Sequence, residues 1–195
     1  MITKLPGLSD IVDDSQMTFR ALLNALSYPG KQQQININLT PPSDLNISCA
    51  AACLTMLDLE TKVWLSSDFD RDVKAWLLFH TGCSFTDNSQ VADFAIIKNI
   101  NAIPNLSNFH HGTAEEPEKS TTLFVQGLDL ESGEKVILTG PGILGETKIS
   151  ISDLPEFFWS EWQTNFNNYP LGIDIFFFVK NTVIGLPRTA KISKY

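Results

Sequence analysis

The fold is decided by Pro170-Leu-Gly-Ile-Asp174-Ile-Phe-Phe-Phe-Val179 and its return, Val183-Ile-Gly-Leu-Pro-Arg188. Residues 175–179 are consecutively apolar and rich in aromatic and β-branched side chains. Such a run is typical of a strand that is buried on both faces. The strand needs one layer above it and one below, and the rest of the chain has to supply both.

A tight turn joins the two halves of this stretch, because Asn181 tolerates the left-handed backbone that a turn requires. If three residues form the connection, Asp174 lies directly opposite Arg188. If only Asn181 and Thr182 turn, Asp174 lies opposite Thr189 and the two charges point to opposite faces. The sequence leaves both registers open.

Four helices are predicted where apolar residues recur at helical spacing behind a capping side chain. They begin near Ser15, Asp44, Asp68 and Asp153 and end near Gly30, Leu59, His80 and Phe166. We expect the first helix to bury Phe19, Leu22, Leu23 and Leu26. A short helix is also predicted within residues 101–109.

Strands are predicted at 35–39, 63–66, 94–97, 122–126 and 135–138, besides the C-terminal hairpin. The last two are expected to pair as a hairpin around Glu131-Ser-Gly133. Strands and helices alternate early and hairpins come late, which favours a three-layer α/β fold, a mixed sheet with helices on both faces. We find no repeat and no dividing linker, so residues 1–195 are expected to form one domain.

The composition excludes several classes of protein. The chain is 43% hydrophobic and 18% charged, which excludes a disordered polymer. Its net charge of −8 argues against nucleic-acid binding, which needs a basic face. No apolar run approaches the roughly 20 residues that span a bilayer. The N-terminus lacks the pattern of a secretory signal, so we expect a cytoplasmic protein that does not bind membranes.

The cysteines predict neither a disulfide framework nor a metal site. Cys49, Cys53 and Cys83 are an odd number in a chain without an export signal. Cys49 and Cys53 lie four residues apart among alanines and leucines, on one face of a predicted helix. A zinc site would need two further ligands at suitable spacing, and we find none. Cys49 and Cys53 are expected to be small core residues.

Two pairs of residues are candidate phosphate or partner contacts. Gly140 and Gly142 flank Pro141 after a strand, where backbone N–H groups could face a phosphate. A tight chain reversal explains the same residues, and Pro141 offers no N–H. Arg188 is either a phosphate or partner contact or the ion-pair partner of Asp174. We favour the ion pair, because a charge that precedes an apolar strand needs a partner.

A polar segment carries Glu115, Glu116 and Glu118, which could act as acids, bases or magnesium ligands. A solvated loop, or a loop that docks to a basic neighbour, explains them equally well. His110 and His111 precede it and are expected at the surface. We find no catalytic triad order, no zinc-protease motif and no desolvated lysine, so no catalytic residue is assigned.

Five stretches, taken in order, resemble one protein family. They are Phe19-Arg-x-Leu-Leu-x-Ala-x-Ser-x-Pro-Gly30, Val63-Trp-Leu-Ser66, Gly112-Thr-Ala-x-x-Pro-Glu118, Leu138-Thr-Gly-Pro-Gly-Ile143, and Pro170-Leu-Gly-Ile-Asp174 with Ile184-x-x-Pro-Arg-Thr189. Together they resemble the PhnH family, the H subunit of the bacterial phosphonate carbon–phosphorus lyase system. The resemblance runs from about residue 15 to residue 192 and is weakest at 32–39 and 99–111.

The resemblance implies a subunit of a core complex with the G, I and J subunits. With an ATP-binding-cassette-like L subunit, that machinery replaces the adenine of ATP by an alkylphosphonate, which gives ribose 1-alkylphosphonate 5-triphosphate. The implied fold is that of pyridoxal-phosphate transferases, without the cofactor. We expect the isolated chain to be a homodimer. The resemblance transfers no catalytic residue.

The sequence leaves two other interpretations of the function open. One is a self-contained small-molecule enzyme on a transferase-like fold, which the missing nucleophile and metal cluster weaken. The other is a phosphonate- or nucleotide-binding protein, which the acidic charge weakens because anions prefer a positive pocket.

Overall fold

The computed structural model describes residues 5–129 and 132–194. The helices are α1 (Ile11–Ser27), α2 (Ile47–Met56), α3 (Arg71–Thr81) and α4 (Phe158–Asn167). The strands are β1 (Gln33–Gln34), β2 (Lys62–Leu65), β3 (Ser84–Phe85), β4 (Phe94–Ile97), β5 (Thr122–Val125), β6 (Glu134–Thr139), β7 (Thr147–Ile151), β8 (Asp174–Val179), β9 (Thr182–Leu186) and β10 (Lys191–Lys194). Within these ranges, no helix has both the length and the apolar character to cross a bilayer.

The strands form two sheets. The larger has the order β1-β9-β8-β5-β4-β2-β3, and the smaller has the order β10-β6-β7. Strands β8, β5, β4, β2 and β3 run parallel, while β9 and β1 are antiparallel to their neighbours. The predicted mixed α/β fold is therefore confirmed.

Strand β8 separates two hydrophobic cores. Phe176 and Phe178 point into a core shared with α1, α2 and α3. Ile175 and Phe177 point into a second core, formed with α4, β6 and β7. Each buried phenylalanine contributes about 1.5–3 kcal/mol. The predicted burial on both faces is confirmed, although the second face is covered by one helix and the small sheet rather than by helices alone.

The register of the C-terminal hairpin differs from both predictions. Val179 pairs with Thr182, so Lys180 and Asn181 form a two-residue turn. The left-handed residue is Lys180, at φ 54°. The hydroxyl of Ser48, at the start of α2, lies within hydrogen-bond distance of the carbonyl oxygens of Lys180 and Thr182, at 3.0 and 3.3 Å. These contacts hold the turn at Lys180 and Asn181, one residue earlier than the turn predicted at Asn181 and Thr182.

Helix α1 begins earlier than predicted, and its buried face is only partly the one predicted. Its N-cap is Asp10, whose carboxylate accepts from the backbone N–H of Val12 and Asp13, and Ser15 lies inside the helix.

Leu22 is buried and Leu26 packs against the core, as expected. Phe19 and Leu23, which were also expected to be buried, are half exposed, and Ala21 and Ala25 are buried instead. Small residues lie on the part of α1 that contacts β9, because the two backbones approach closely there. A Cβ atom on Gly185 would stand 2.5 Å from the Ala25 carbonyl group.

The predicted starts of the other three helices are also wrong by a few residues. Asn46 caps α2 and Asp70 precedes α3, in place of Asp44 and Asp68. The chain turns at Asp153, at φ 59°, before α4 starts five residues later. The short helix predicted within residues 101–109 is present as a three-residue 3₁₀ helix, Leu106–Asn108.

The predicted pairing of 122–126 with 135–138 is wrong. Strand β5 lies between two parallel neighbours, β4 and β8, in the large sheet. Strand β6 belongs to the small sheet, where it pairs with β7 and β10. Glu131 of the predicted turn lies outside the described residues. In the 35–39 segment, Ile35 and Leu39 are buried as the alternation predicts, but strand pairing is confined to residues 33–34.

Candidate functional site

Arg188 lies at the centre of a polar cluster just beyond β9. Its Nε and Nη2 atoms donate to the Asp174 carboxylate, with an Nη2–Oδ2 distance of 2.6 Å. Nη1 donates to the carbonyl oxygens of Pro117 and Pro170, and Nη2 also donates to the Ser120 hydroxyl. All five N–H groups of the guanidinium therefore have acceptors within the protein.

The ion pair that we favoured from the sequence is thus present, although its register is not the one predicted. The Arg188 backbone N–H also donates to Asp174, at 2.7 Å. The Arg188 and Asp174 side chains are 13% and 20% exposed. A phosphate would have to displace at least one protein acceptor to reach the guanidinium, so the geometry by itself favours a structural role.

Gly140 and Gly142 lie in the loop between β6 and β7, and both have positive φ. A Cβ atom on Gly142 would lie 2.0 Å from the Ser27 carbonyl oxygen, at the end of α1. A Cβ atom on Gly140 would lie 2.7 Å from the Thr189 carbonyl oxygen. Both glycines therefore allow close packing of the backbone, which agrees with a chain reversal.

The acidic segment that carries Glu115, Glu116 and Glu118 is held in place by contacts with neighbouring residues of the chain. Glu116 pairs with Lys119 at 2.6 Å, and this carboxylate raises the pKa of Lys119. The His110 Nδ1 atom lies 2.9 Å from the Lys119 carbonyl oxygen, and the His111 Nε2 atom lies 3.0 Å from that of Leu106. The histidines and the carboxylates do not converge: within residues 5–129 and 132–194, no group of three or more potential ligands could hold a metal ion.

Cys49 and Cys53 are core residues, as predicted, and Cys83 is buried as well. Cys49, Cys53 and Cys83 are each 0% exposed and carry free thiols. Burial raises the pKa of the Cys53 thiol well above its usual value and also raises the pKa of Cys83. Neither is poised as a thiolate nucleophile at neutral pH.

A second polar cluster lies at the carboxyl ends of the parallel strands, between β2 and β4. From β2 the chain passes through α3 to β3 on one side, and from β4 it continues to β5 on the other. The connections therefore leave two adjacent strands in opposite directions. Open α/β sheets bind ligands in the crevice at such a topological switch point.

Four residues directly after these two strands interlock at the crevice. The Ser66 hydroxyl donates to Asp68 and accepts from the Lys98 backbone N–H. The Asn99 side-chain amide donates to the second Asp68 oxygen. The Lys98 ammonium group donates to the Asp68 carbonyl oxygen, at 3.1 Å. Both strand ends are thereby tied to the loop that leads into α3.

Lys98 also binds Asp44, with an Nζ–Oδ2 distance of 2.7 Å. Hydrogen bonds from Lys98 and from the Asp70 backbone N–H lower the pKa of Asp44, and the Asp44 carboxylate raises the pKa of Lys98. Lys98 is therefore held as a cation, which suits it to electrostatic contact and not to Schiff-base chemistry.

Sequence reasoning missed this cluster, because Asp44 and Asp68 were interpreted as helix caps and Lys98 lies just beyond the predicted strand 94–97. The available signal was positional. Polar residues directly follow β2, β4 and β5, and the carboxyl ends of parallel strands meet at one edge of a sheet. Gln126 follows β5 in the same way: its side chain accepts from the Asn46 backbone N–H and donates to the Asp44 carbonyl oxygen.

Comparison with known proteins agrees with the motifs. The model of the family described as bacterial phosphonate metabolism protein (PhnH) matches residues 6–193. A relative from Rhizobium meliloti (strain 1021), named alpha-D-ribose 1-methylphosphonate 5-triphosphate synthase subunit PhnH, is 35% identical over 189 residues, which cover 96% of this chain and 94% of the relative. A relative from Stutzerimonas stutzeri, named putative C-P lyase subunit protein HtxG, is 28% identical over 184 residues, with 91% and 85% covered.

The matches extend across both hydrophobic cores and both polar clusters, so they concern the whole fold rather than one motif. The family resemblance that was inferred from five stretches of sequence is therefore confirmed: the chain belongs to the PhnH family of bacterial phosphonate metabolism proteins.

Proposed function

We propose that this chain is a subunit of a ribose 1-methylphosphonate 5-triphosphate synthase of the carbon–phosphorus lyase pathway. In this role it supports transfer of an alkylphosphonate to the ribose C1 of ATP, with loss of adenine, alongside the G, I and J subunits. The observation that carries the proposal is the 35% identity, over 96% of the chain, with a relative named as a subunit of that synthase.

The internal chemistry supports a subunit that does not act alone. Arg188 is the strongest candidate for a phosphate contact in the sequence, but its N–H groups donate to acceptors within the protein. Lys98, at the switch point, is neutralised by Asp44. A triphosphate needs several free cationic donors or a metal ion. We infer that partner subunits complete the anion site.

The test is adenine release from ATP, magnesium and methylphosphonate by purified G, I, J and L subunits, with and without this chain. We expect release only when the chain is present, and none from the chain by itself. Release by the chain alone, at the rate of the full mixture, would support the self-contained enzyme instead. Equal release without the chain would remove it from the reaction.

We also propose that residues 1–195 form one domain with the likeness to pyridoxal-phosphate transferases described above, that it binds no such cofactor, and that it resides in the cytoplasm. The layered sheet supports the fold likeness. Incubation with pyridoxal phosphate should give no stoichiometric Schiff-base absorption between about 320 and 430 nm that borohydride can trap on one lysine. A trapped adduct at Lys98 would contradict this proposal.

The homodimer expected for the isolated chain is a further proposal, tested by light scattering of the purified protein. It is independent of the synthase assay, because a monomer can serve equally well as a subunit.

A further inference from the structure

A cavity of about 400 Å³ is lined by residues of α3, of the loop that precedes α2, and by Leu5. Its volume lies within the range of about 300–1,000 Å³ that is usual for small-molecule sites. Most of the lining is apolar, and the polar part includes the side chains of Asp70 and Asp72. An apolar cavity with a few convergent polar groups is the usual form of a ligand site.

The aromatic part of the lining comes from Trp76 and Phe79. They lie three residues apart on α3, so they are neighbours on one side of the helix. The Trp76 indole N–H donates to the Leu5 carbonyl oxygen at 3.2 Å, and the His80 Nε2 atom lies 3.0 Å from the same oxygen. These contacts fix Leu5 against α3, so this part of the cavity is formed before any ligand enters.

The two acidic residues lie at the start of α3. Asp70 occupies the cap position and Asp72 the first turn, and both are exposed. The Asp70 carboxylate makes no capping hydrogen bond to α3, and neither residue forms an ion pair within residues 5–129 and 132–194. Asp44, which also lines the cavity, differs from them because Lys98 neutralises it. The lining therefore holds two carboxylates that are available to a ligand.

Charge decides which ligand fits this lining. The N-terminal end of α3 carries a partial positive charge of about half a unit, which is less than the two carboxylates contribute. An anion is therefore repelled, and a neutral apolar molecule gains nothing from Asp70 and Asp72. A cation on an apolar body uses both features, because its N–H groups can donate to the carboxylates while its body contacts Trp76 and Phe79.

We propose that this cavity binds a small organic cation, that is, an amidinium, guanidinium or ammonium group on an apolar body. Asp70 and Asp72 accept from the cationic group, and Trp76 and Phe79 contact the body. The inference goes beyond the proposed function and does not depend on it, because the phosphonate and triphosphate groups of that reaction are anions. A negative result here would leave the adenine-release assay to decide the proposed function by itself.

Three probes of nearly the same shape test the charge preference: benzamidinium, neutral benzamide and anionic benzoate. Their binding to the purified chain is measured by isothermal titration calorimetry at neutral pH and low salt. We expect benzamidinium to bind at least about 10-fold more tightly than benzamide, and benzoate to bind most weakly. Equal binding of benzamide, tighter binding of benzoate, or no binding of benzamidinium at about 10 mM would overturn the proposal.

Two variants test the place of binding, each with a matched control. Asp72→Asn is compared with Asp13→Asn, because Asp13 is an exposed acid in the first turn of α1 and does not line the cavity. Phe79→Ala is compared with Leu78→Ala, because Leu78 is exposed on α3 and does not line the cavity either.

Asp72→Asn and Phe79→Ala should each weaken benzamidinium binding at least about fivefold, and the controls should stay within about twofold of the wild type. Asp72→Asn should leave benzamide binding unchanged, which a general loss of structure would not do. Wild-type affinity for benzamidinium in both test variants, or an equal loss in the controls, would show that the cation binds elsewhere and overturn the site. Thermal unfolding checks that each variant is folded, and the probe series on wild-type protein decides the charge preference even if one variant is not.

Discussion

Replacing Arg188 with alanine should destabilise the protein more than replacing any exposed arginine. The substitution removes a guanidinium that binds Asp174, Ser120 and the carbonyl oxygens of Pro117 and Pro170. Among the described residues, the one donor that the Asp174 carboxylate then keeps is the backbone N–H of residue 188. Removing one partner of a buried ion pair costs about 3–5 kcal/mol. Since both side chains retain some contact with water, we expect about 3 kcal/mol.

A double-mutant cycle separates the ion pair from the other contacts of Arg188. Asp174→Ala also removes the acceptor of the Arg188 backbone N–H, so it should be destabilising by itself. In the double mutant the second change should cost less than in the wild type, with a coupling free energy of about 2 kcal/mol. Arg71→Ala, at the exposed start of α3, is the control, expected within about 0.5 kcal/mol of the wild type.

The assay is urea unfolding followed by tryptophan fluorescence, beside thermal unfolding. A loss of about 3 kcal/mol corresponds to a fall in Tm of about 6–12 °C for a chain of this length. Additive losses below about 1 kcal/mol, together with failure to bind the partner subunits, would refute the structural interpretation. Arg188 would then be a functional contact.

Three further predictions concern a glycine, an ion pair and the thiols. Gly142→Ala should lower the free energy of unfolding in urea by more than about 2 kcal/mol, because its Cβ atom would lie 2.0 Å from the Ser27 carbonyl oxygen. The control Gly145→Ala, with open space around it, should lower it by only about 1–2 kcal/mol. Equal losses in the two variants would contradict the packing argument. The lowered pKa of Asp44 means that its contribution to stability is present above its unfolded pKa, near 4, and is lost as pH falls through the lower folded pKa. Asp44→Asn should therefore weaken the acid dependence of the urea midpoint between about pH 5 and pH 2, and an unaltered dependence would refute this. The three buried cysteines should react with a thiol reagent only slowly in the native protein and all at once in denaturant; rapid native labelling of any of them would disprove their burial.

The sequence predicted the strands of the large sheet better than the faces of the helices. Residues 175–179 are so apolar that burial on both sides was readable without any tertiary information. The buried face of α1 was not, because large apolar residues lie on both sides of that helix. Contact with β9 selects the side with Ala21, Leu22 and Ala25, and at Ala25 the backbone of Gly185 leaves room only for a small residue.

Strand pairing was the other point at which local reasoning failed. The segments 122–125 and 134–139 are close in sequence and read as a hairpin, yet they belong to different sheets. Local patterning sets the period of a strand but does not specify its neighbours. The turn after β8 shows the same limit on a smaller scale. Its register is held by Ser48, which is 132 residues away from Lys180 in the sequence.

The candidate site was predicted in one half and missed in the other. A charge at the start of a buried strand needs a partner, and this local argument was enough to predict the pair of Asp174 and Arg188. The cluster around Lys98 depends on the order of strands in the sheet, which no local pattern gives. Asp68 looks like a helix cap in the sequence and becomes an acceptor for Asn99 only when β2 and β4 are neighbours.

The motifs by which this chain resembles its family meet one another in the structure. Arg188 joins the segment 112–118, through Pro117, to the segment 170–174. Gly142 joins the loop after β6 to the end of α1, and Gly30 lies against side chains of the small sheet. These residues therefore hold the small sheet and the long loops onto the large sheet. Since Arg188, Gly142 and Gly30 are occupied with this internal packing, the residues that recognise substrate are better sought elsewhere, first in the crevice around Lys98.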